Sequence, residues 1–352
     1  MTVSKIFDID FSKVEDHAAQ WAKLKETDID LQKILARIEK PGKALIFSHD
    51  DPDGITSGLI FKRMLIKKGW KVKHFMPEGF KLQPEQFEKA LAEFPEAECV
   101  FMLDKGTSSA DDFISDKLPG YIIDHHPGVT PPVKNVAFNI AKSSYVQCSG
   151  SVLAHGIATL VGTREEFDDL LALIGLKGDW AVEPVSGACA DFVRPFFAKY
   201  ALNNFKKLFE FGAERPTMFD FSQREGTCPL STISEIAHGC GGGGFSYFYN
   251  DREESLKDVN HAHLVADVLE AVADKVNEIK NVKTADDFFA LVPEKLCTPL
   301  KKIWGYFLAD WEKALNMLDS SVRTLILGDT SIYLFVGPKV PLLPMIDKYT
   351  PS

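Results

Sequence analysis

The first half of the chain alternates short apolar runs with longer segments whose apolar residues recur at helical spacing. Residues 44–48 (ALIFS) are too few for a buried helix, whereas residues 55–68 carry an apolar stripe of helical period. The same reasoning predicts strands over 71–76, 99–103 and 121–123 and a helix over 84–93. Such alternation is typical of a parallel sheet with helices on both faces.

The pattern becomes mainly helical after residue 149. Helices are predicted over 152–160 and 167–176, with Ser149 or Ser151 as the cap of the first. Long helices are predicted over 258–280 and 294–318, followed by a strand pair over 322–327 and 331–336. The expected fold class is therefore α/β, with an N-terminal, mostly parallel sheet and a smaller mixed α+β C-terminal lobe. We expect a helical segment at 1–40, a sheet domain at 41–190, and a helical linker and substrate lobe at 191–352.

The composition is that of a globular protein with a sizeable core. The chain has 352 residues, of which 45% are hydrophobic and 26% charged. Its net charge of −10 argues against a broad basic surface for duplex DNA. The N-terminus has no basic flank before an apolar run, and no stretch reaches the roughly 18 apolar residues of a membrane span. The six scattered cysteines are interpreted as reduced thiols, so we expect a cytoplasmic protein with no membrane partner.

Acidic and histidine residues cluster where the predicted elements end. Three groups follow strands and one ends an apolar helix: His49-Asp50-Asp51-Pro52-Asp53-Gly54, Asp104-Lys105-Gly106, Asp124-His125-His126, and Gly178-Asp179. Each group alone has a plainer interpretation, because Asp and Gly form turns and aspartates cap helices. In an open parallel sheet, however, the carboxyl ends of the strands face one crevice. Together the groups therefore predict one shared site.

Several carboxylates in one crevice would repel one another and lose hydration unless a positive charge lies among them. Carboxylate and imidazole donors favour a divalent cation, and we expect Mn²⁺, with Mg²⁺ or Co²⁺ as alternatives. One carboxylate placed between two ions can bridge them. Two ions about 3.5–4 Å apart can activate a water for in-line attack on phosphorus. The sequence therefore predicts a divalent-cation site, in which two ions would suit phosphate chemistry.

The order H-x-D-x-D-G, D-x-G, D-H-H and G-D resembles the DHH phosphoesterase superfamily over about the first half of the chain. The segment SHDDPDGI is similar to the first motif of its RecJ-like exonuclease and oligoribonuclease branch. The resemblance implies that Asp51, with His49 as a helper, holds one ion. It also implies that Asp53, His125 and Asp179 hold the other.

The same resemblance assigns roles to the remaining residues of these motifs. Asp104 would bridge the two ions and, with His126, carry the catalytic chemistry. His126 would face the substrate phosphate, where it could stabilise negative charge or protonate the leaving oxygen. Asp124 would orient a histidine, as metal-bound imidazoles usually require.

The second half departs from the family, because nothing after Ser331 carries its G-G-G-H-type motif. The glycine cluster in this half is Gly241, Gly242, Gly243 and Gly244. It could let backbone N–H groups approach a phosphate, with Arg252 as a further phosphate partner, or it could be a loop with no ligand. Both interpretations are open.

Three functions are compatible with these features. The preferred one is hydrolysis of phosphodiester bonds in single-stranded or short oligonucleotides. The second is hydrolysis of a small phosphate compound such as pyrophosphate or a nucleotide, which the acidic charge and the missing terminal motif favour. The third is a non-catalytic RecJ-like scaffold, which ranks last because the expected acidic positions are filled. The sequence identifies no protein partner.

Overall fold

Five parallel strands form the central sheet, in the order β2-β1-β3-β4-β5. The computed structural model describes residues 7, 9–79, 81–106, 112–127, 134–143, 148–184, 187–212, 215, 217–220, 227–243, 248–328 and 330–335. The strands are β1 (Lys43–Ser48), β2 (Lys71–Phe75), β3 (Cys99–Leu103), β4 (Gly120–Asp124) and β5 (Val136–Asn139). The first four agree with the predicted strands, whereas β5 was not predicted.

The strand register brings the ends of the three central strands level. Ser48 of β1 pairs with Leu103 of β3, which in turn pairs with Ile123 of β4. The chain leaves β1 toward β2 on one side, whereas β3 and β4 continue on the other. The carboxyl ends of β1 and β3 therefore flank a topological switch point, the usual ligand crevice of an open parallel sheet.

Helices cover both faces of this sheet, and successive residues of each central strand face opposite layers. Ala44 and Ile46 of β1 belong to the larger hydrophobic cluster, whereas Leu45 and Phe47 belong to the smaller one. The helices of this half are α1 (His17–Thr27), α2 (Ile29–Ile38), α3 (Pro52–Lys67), α4 (Pro84–Glu93), α5 (Asp112–Ser115), α6 (Gly150–Leu160) and α7 (Glu166–Gly178). The predicted α/β class is confirmed.

Polar side chains begin several of these helices. Asp16 accepts backbone N–H bonds at the start of α1, and Asp28 does so at the start of α2. Ser149, one of the two predicted caps, accepts from the Val152 amide at the start of α6. These oxygens satisfy amides that have no partner inside the helix.

The second half is mainly helical. A two-residue strand pair, β6 (Val182–Glu183) and β7 (Ala188–Cys189), precedes α8 (Arg194–Phe196), a π-helical turn Phe197–Ala201, and α9 (Leu202–Asn204). The later helices are α10 (Pro229–Gly241), α11 (His261–Ala271), α12 (Val276–Ile279), α13 (Ala285–Leu291) and α14 (Glu294–Ser321). An antiparallel hairpin follows, made of β8 (Val322–Leu327) and β9 (Thr330–Phe335).

The prediction of one continuous helix over 258–280 is wrong, because the helix is interrupted. The segment is divided into α11, a 3₁₀ turn Ala273–Lys275 and α12, and the flanking residues Val272 and Val276 both lie in the core. The larger hydrophobic cluster extends from Phe7 to Ala314, so the later helices pack on the same core as the sheet. The predicted domain boundaries at residues 40 and 190 stay predictions.

All six cysteines are free thiols with buried side chains. Burial raises the pKa of the Cys99 thiol to about 11, which keeps it protonated at neutral pH. Among the helices of the described residues, none is both long and apolar enough to cross a membrane.

Candidate metal centre

The turn after β1 carries His49, Asp51 and Asp53 into the crevice. Asp51 is the N-cap of α3, and its carboxylate accepts the Gly54 amide at 2.8 Å, with Pro52 at the first helical position. Gly54 is required because a Cβ there would lie 2.4 Å from the His49 carbonyl oxygen. The turn is therefore closed tightly around its three candidate ligands.

Asp104 follows β3 in the left-handed region, with φ of 57°. Aspartate tolerates this conformation better than most residues, but it still costs free energy, and such strain is concentrated at functional sites. The Asp104 side chain is fully buried, and its Oδ1 lies 3.1 Å from His125 Nε2. The backbone at the end of β3 thus directs one carboxylate to the middle of the crevice.

Asp124, the last residue of β4, organises the two histidines that follow it. Its Oδ1 accepts the His125 amide at 2.8 Å and the His126 amide at 3.1 Å. The same oxygen lies 2.8 Å from His126 Nδ1. The predicted orienting role of Asp124 therefore has a geometric basis, and the histidine that it contacts through the ring is His126.

Asp53 is held by the start of α6, more than ninety residues away. The Gly150 amide donates to Asp53 Oδ2, and the Ser151 amide donates to Oδ1 at 2.9 Å. The partial positive charge of a helix N-terminus stabilises a carboxylate in this position. Gly150 allows this approach, because a Cβ there would lie 2.9 Å from the Asp104 Cβ.

Asp179 is the C-cap of α7, and its Oδ2 lies 2.8 Å from His125 Nε2. A carboxylate at a helix C-terminus faces the negative end of the helix dipole, which is unfavourable unless a cation lies nearby. The next residue, Trp180, has a φ of 59°, so the chain leaves α7 in an uncommon conformation. The position of Asp179 is thus unfavourable for folding stability when no cation lies nearby.

The structure brings these predicted residues together in two donor groups that share Asp104. One group contains His49, Asp51 and Asp104, and the other contains Asp53, Asp104, His125 and Asp179. Within each group, the possible ligand atoms all lie within 4.8 Å of one another. A further group joins Asp104 to Asp124, His125 and His126. Asp104 thus occupies the position expected of a bridging carboxylate.

The pKa shifts in these groups show that burying several carboxylates together is unfavourable without a counterion. Burial, followed by the charges of Asp179 and Asp104, raises the pKa of Asp53 well above its usual range. Burial lowers the pKa of His125, but Asp179 and Asp104 raise it by more, so it lies well above normal. Burial also raises the pKa of Asp179. The buried carboxylates therefore draw protons to the site.

A divalent cation fits this donor set. Asp104 Oδ2 is buried and accepts no hydrogen bond from the described residues, which is the state of an oxygen that has room for a metal ion. Carboxylate oxygens with imidazole nitrogens are donors that suit Mn²⁺ and Mg²⁺. A divalent ion would also neutralise the repulsion that raises the pKa of Asp53.

The predicted phosphate-binding residues are only partly near this centre. Gly241 lies beside the turn after β1, since a Cβ there would be 3.2 Å from the Asp50 carbonyl oxygen. Gly242 and Gly243 follow with φ of 108° and 67°, and Gly244 lies outside the described residues. Arg252 instead pairs with Asp310 of α14 at 2.9 Å. Phosphate binding by these residues stays a prediction.

Sequence reasoning missed three contributors to the centre. The Gly150 and Ser151 amides hold Asp53, and the only sequence signal was their place at a capped helix start. His238 of α10 was also missed. Burial raises the pKa of Asp51, but His49, the Gly54 amide and His238 lower it by more, so the net pKa is below normal. His238 lies three residues before Gly241, and this closeness to the glycine cluster was its one signal.

The fold and the site together define an α/β protein whose candidate divalent-metal site lies at the carboxyl edge of its sheet. Residues 43–174 match the DHH family, N-terminal domain. The predicted resemblance to the DHH superfamily is therefore confirmed for this part of the chain.

Individual relatives cover different shares of the chain. The uncharacterized protein MJ0831 of Methanocaldococcus jannaschii is 29% identical over 175 residues, which is 47% of this chain and 39% of that protein. The chain thus spans well under two thirds of the length of this curated relative. Among solved structures, the DHH domain of a member of the s1p family of ribosomal proteins has a TM-score of 0.56 and 15% identity, covering 96% of this chain and 70% of that one. The structure of exonuclease RecJ bound to manganese has a TM-score of 0.44 and 16% identity, and the match covers 89% of this chain and 72% of that one.

Proposed function

We propose that the chain is a divalent-metal-dependent phosphoesterase that hydrolyses phosphodiester bonds in single-stranded or short oligonucleotides. The DHH-family domain at residues 43–174 supports phosphoesterase chemistry. The observation that carries the proposal is the pair of donor groups joined by Asp104. Two cation positions that share one carboxylate are typical of enzymes that attack phosphorus.

In this proposal, the two groups hold two Mn²⁺ ions. Asp51 and His49 would bind one ion, Asp53, His125 and Asp179 would bind the other, and Asp104 would contact both. The ions would lower the pKa of an attacking water and stabilise the charge that develops on the phosphate. The protein itself supplies the buried setting, in which Asp53 and Asp104 are fully excluded from solvent.

His126 is the proposed substrate-facing residue. It is the more exposed of the two adjacent histidines, with 32% of its side chain accessible against 8% for His125. Asp124 engages Nδ1 at 2.8 Å, which orients the ring and directs Nε2 to the opposite side. From there Nε2 would donate a hydrogen bond to the phosphate or a proton to the leaving oxygen.

The substrate class is supported less directly than the reaction. The segment SHDDPDGI, which resembles the first motif of RecJ-like exonucleases, favours oligonucleotides. The net charge of −10 favours a small phosphate compound such as pyrophosphate. The assay therefore has to include both classes.

The test is hydrolysis of end-labelled single-stranded DNA and RNA, dinucleotides and pyrophosphate, with Mn²⁺, Mg²⁺ or Co²⁺. We expect mononucleotide release with Mn²⁺, and its loss in Asp104→Asn. Asp116→Asn is the matched control, because it changes an exposed aspartate that pairs with Lys134 at the surface. We expect His126→Gln to lower kcat while leaving Mn²⁺ affinity unchanged.

Each substrate result has a distinct meaning. If the protein releases phosphate from pyrophosphate but does not cleave oligonucleotides, its substrate is a small phosphate compound and the oligonucleotide assignment is wrong. Mn²⁺ binding without hydrolysis of any of these substrates would contradict the proposal and favour a scaffold role. Equal activity of Asp104→Asn and wild type would contradict the assignment of the centre.

A further inference from the structure

Asp50 is the one carboxylate of the turn after β1 that the assignment above does not use. Its side chain is buried, with 1% exposure, and within the described residues neither Oδ1 nor Oδ2 accepts a hydrogen bond. A buried carboxylate that accepts no hydrogen bond is unfavourable for the fold, so its presence calls for an explanation.

Two basic side chains act on Asp50: the imidazole of His49 and the buried ammonium group of Lys105. His49 Nε2 lies 3.5 Å from Asp50 Oδ1. The other ring nitrogen, Nδ1, lies on the opposite side, 3.1 Å from Asp51 Oδ2 and 3.7 Å from Asp104 Oδ2. The ring therefore lies between a ligand group and a carboxylate outside that group.

The surroundings of Asp50 keep it in this position. The Gly241 backbone packs against the Asp50 carbonyl, because α10 ends there without a side chain. A cavity of about 30 Å³, which has room for one or two waters, is lined by Asp50 together with Asn250, Asn260 and His261.

A shorter contact between a carboxylate and an imidazole occurs elsewhere in this site. Asp124 precedes His125 and His126 and holds one ring nitrogen of His126 at 2.8 Å. Asp50 follows His49 and faces one ring nitrogen of that residue. A metal-binding imidazole usually donates its second N–H to a carboxylate, which fixes the tautomer and makes the metal-facing nitrogen more basic.

We infer that Asp50 is a positioning residue that holds the proton of His49 on Nε2 and so presents the Nδ1 lone pair to the ion bound by Asp51 and Asp104. This inference rests on the proposed function, because it requires a metal ion at that group. It explains why a carboxylate outside both donor groups stays buried next to them. A shortening of the 3.5 Å separation when the ion binds would complete the hydrogen bond.

The test measures Mn²⁺ binding to the full-length chain by calorimetry and by electron paramagnetic resonance, without any substrate. We expect two bound ions in wild type. In Asp50→Ala the ion at the His49 group should bind about 10–100-fold more weakly, whereas the other ion should bind as before. Asp50→Asn, whose amide oxygen can still accept a hydrogen bond but carries no charge, should lie between the two. Asp116→Ala, an exposed carboxylate, serves as the control.

A double-mutant cycle separates positioning from general damage. If Asp50 acts through His49, then Asp50→Ala should have no further effect on Mn²⁺ affinity in a His49→Gln background. Histidine tautomers provide a second readout, since nitrogen-15 spectra with diamagnetic Mg²⁺ should show His49 protonated at Nε2 in wild type. If Asp50→Ala does not fold, the cycle is carried out with Asp50→Asn.

The outcomes are distinguishable. Wild-type protein that binds no divalent ion would overturn the proposed function, and this inference would fall with it. Wild-type protein that binds two ions, together with an Asp50→Ala variant of equal affinity, would overturn this inference alone. Additive effects of the Asp50 and His49 substitutions would also overturn it.

Discussion

Replacing Gly175 by alanine should weaken Mn²⁺ binding by displacing Asp53, although none of the proposed ligands is itself substituted. Gly175 lies in α7, where a Cβ would be 2.3 Å from Ser151 Oγ, 2.5 Å from Asp53 Oδ1 and 2.6 Å from Thr56 Oγ1. Real Cβ contacts essentially never fall under 3.0 Å, so the Asp53 oxygen would have to move by at least 3.0 − 2.5 = 0.5 Å. Asp53 is fully buried and held by two α6 amides, so it has little room to move elsewhere.

The expected magnitude follows from these contacts. Overpacking a dense core typically costs about 1–3 kcal/mol, and alanine in a helix recovers about 1 kcal/mol relative to glycine. The net loss of folding stability should therefore be at most about 2 kcal/mol. Since functional groups tolerate displacements of only about 0.5 Å, we expect Mn²⁺ to bind at least about 10-fold more weakly at the Asp53 group.

Two other glycines provide matched controls with the same substitution in a helix. Gly156→Ala in α6 would place a Cβ 1.9 Å from the buried Trp21 ring, so it should lower stability but leave the Mn²⁺ affinity unchanged. Gly305→Ala in α14 meets nothing within 4 Å, so it should raise stability by about 0.5–1 kcal/mol.

The assay is Mn²⁺ titration by calorimetry, combined with chemical denaturation of each metal-free variant. Unchanged Mn²⁺ affinity in a folded Gly175→Ala protein would refute the steric argument. A loss of affinity in Gly156→Ala as large as that in Gly175→Ala would show that general destabilisation, and not displacement of Asp53, weakens the site.

Two further predictions concern stability. Burial, followed by the charge of His155, lowers the pKa of His17 to about 3, whereas the unfolded value is about 6.5. Because the unfolded state binds this proton first, folding stability should fall as pH decreases from about 6.5 toward 3, by about 2 kcal/mol between pH 7 and pH 5. Denaturation curves at both pH values should show a smaller loss in His17→Phe, and an equal loss would contradict the assignment. Separately, Mn²⁺ at about 100 times its Kd should raise the free energy of unfolding by about 2.7 kcal/mol per bound ion. Thermal denaturation should then show a Tm that is a few degrees higher. A chelator should reverse this increase, and the Asp104→Asn variant should not show it.

The convergence of the metal centre could be predicted from the chain alone, because it follows from local signals. The runs before His49, Asp104 and Asp124 are short and apolar, and they alternate with segments of helical period. Parallel strands bring their carboxyl ends to one edge of a sheet, so residues that follow such strands must be neighbours whatever their separation in the chain. This geometric necessity explains the convergence of His49, Asp104 and His125, whereas Asp179 ends a helix and is not placed by it.

Other features had no local signal strong enough to predict them. The strand β5 has only four residues, and it is recognisable mainly by its pairing with β4. The break between α11 and α12 was not predicted, because residues 258–280 contain neither proline nor glycine to interrupt the helical pattern.

The finer geometry of the centre depended on contacts between distant segments. The hold of the Gly150 and Ser151 amides on Asp53 exists because α6 packs against α3, and the 3.5 Å approach of His49 to Asp50 depends on the ring orientation in the closed crevice. Periodicity along a chain determines which face of a helix or strand is buried. The distance and direction of each donor atom are determined by how side chains fill the space between packed elements, and that packing is a property of the whole fold.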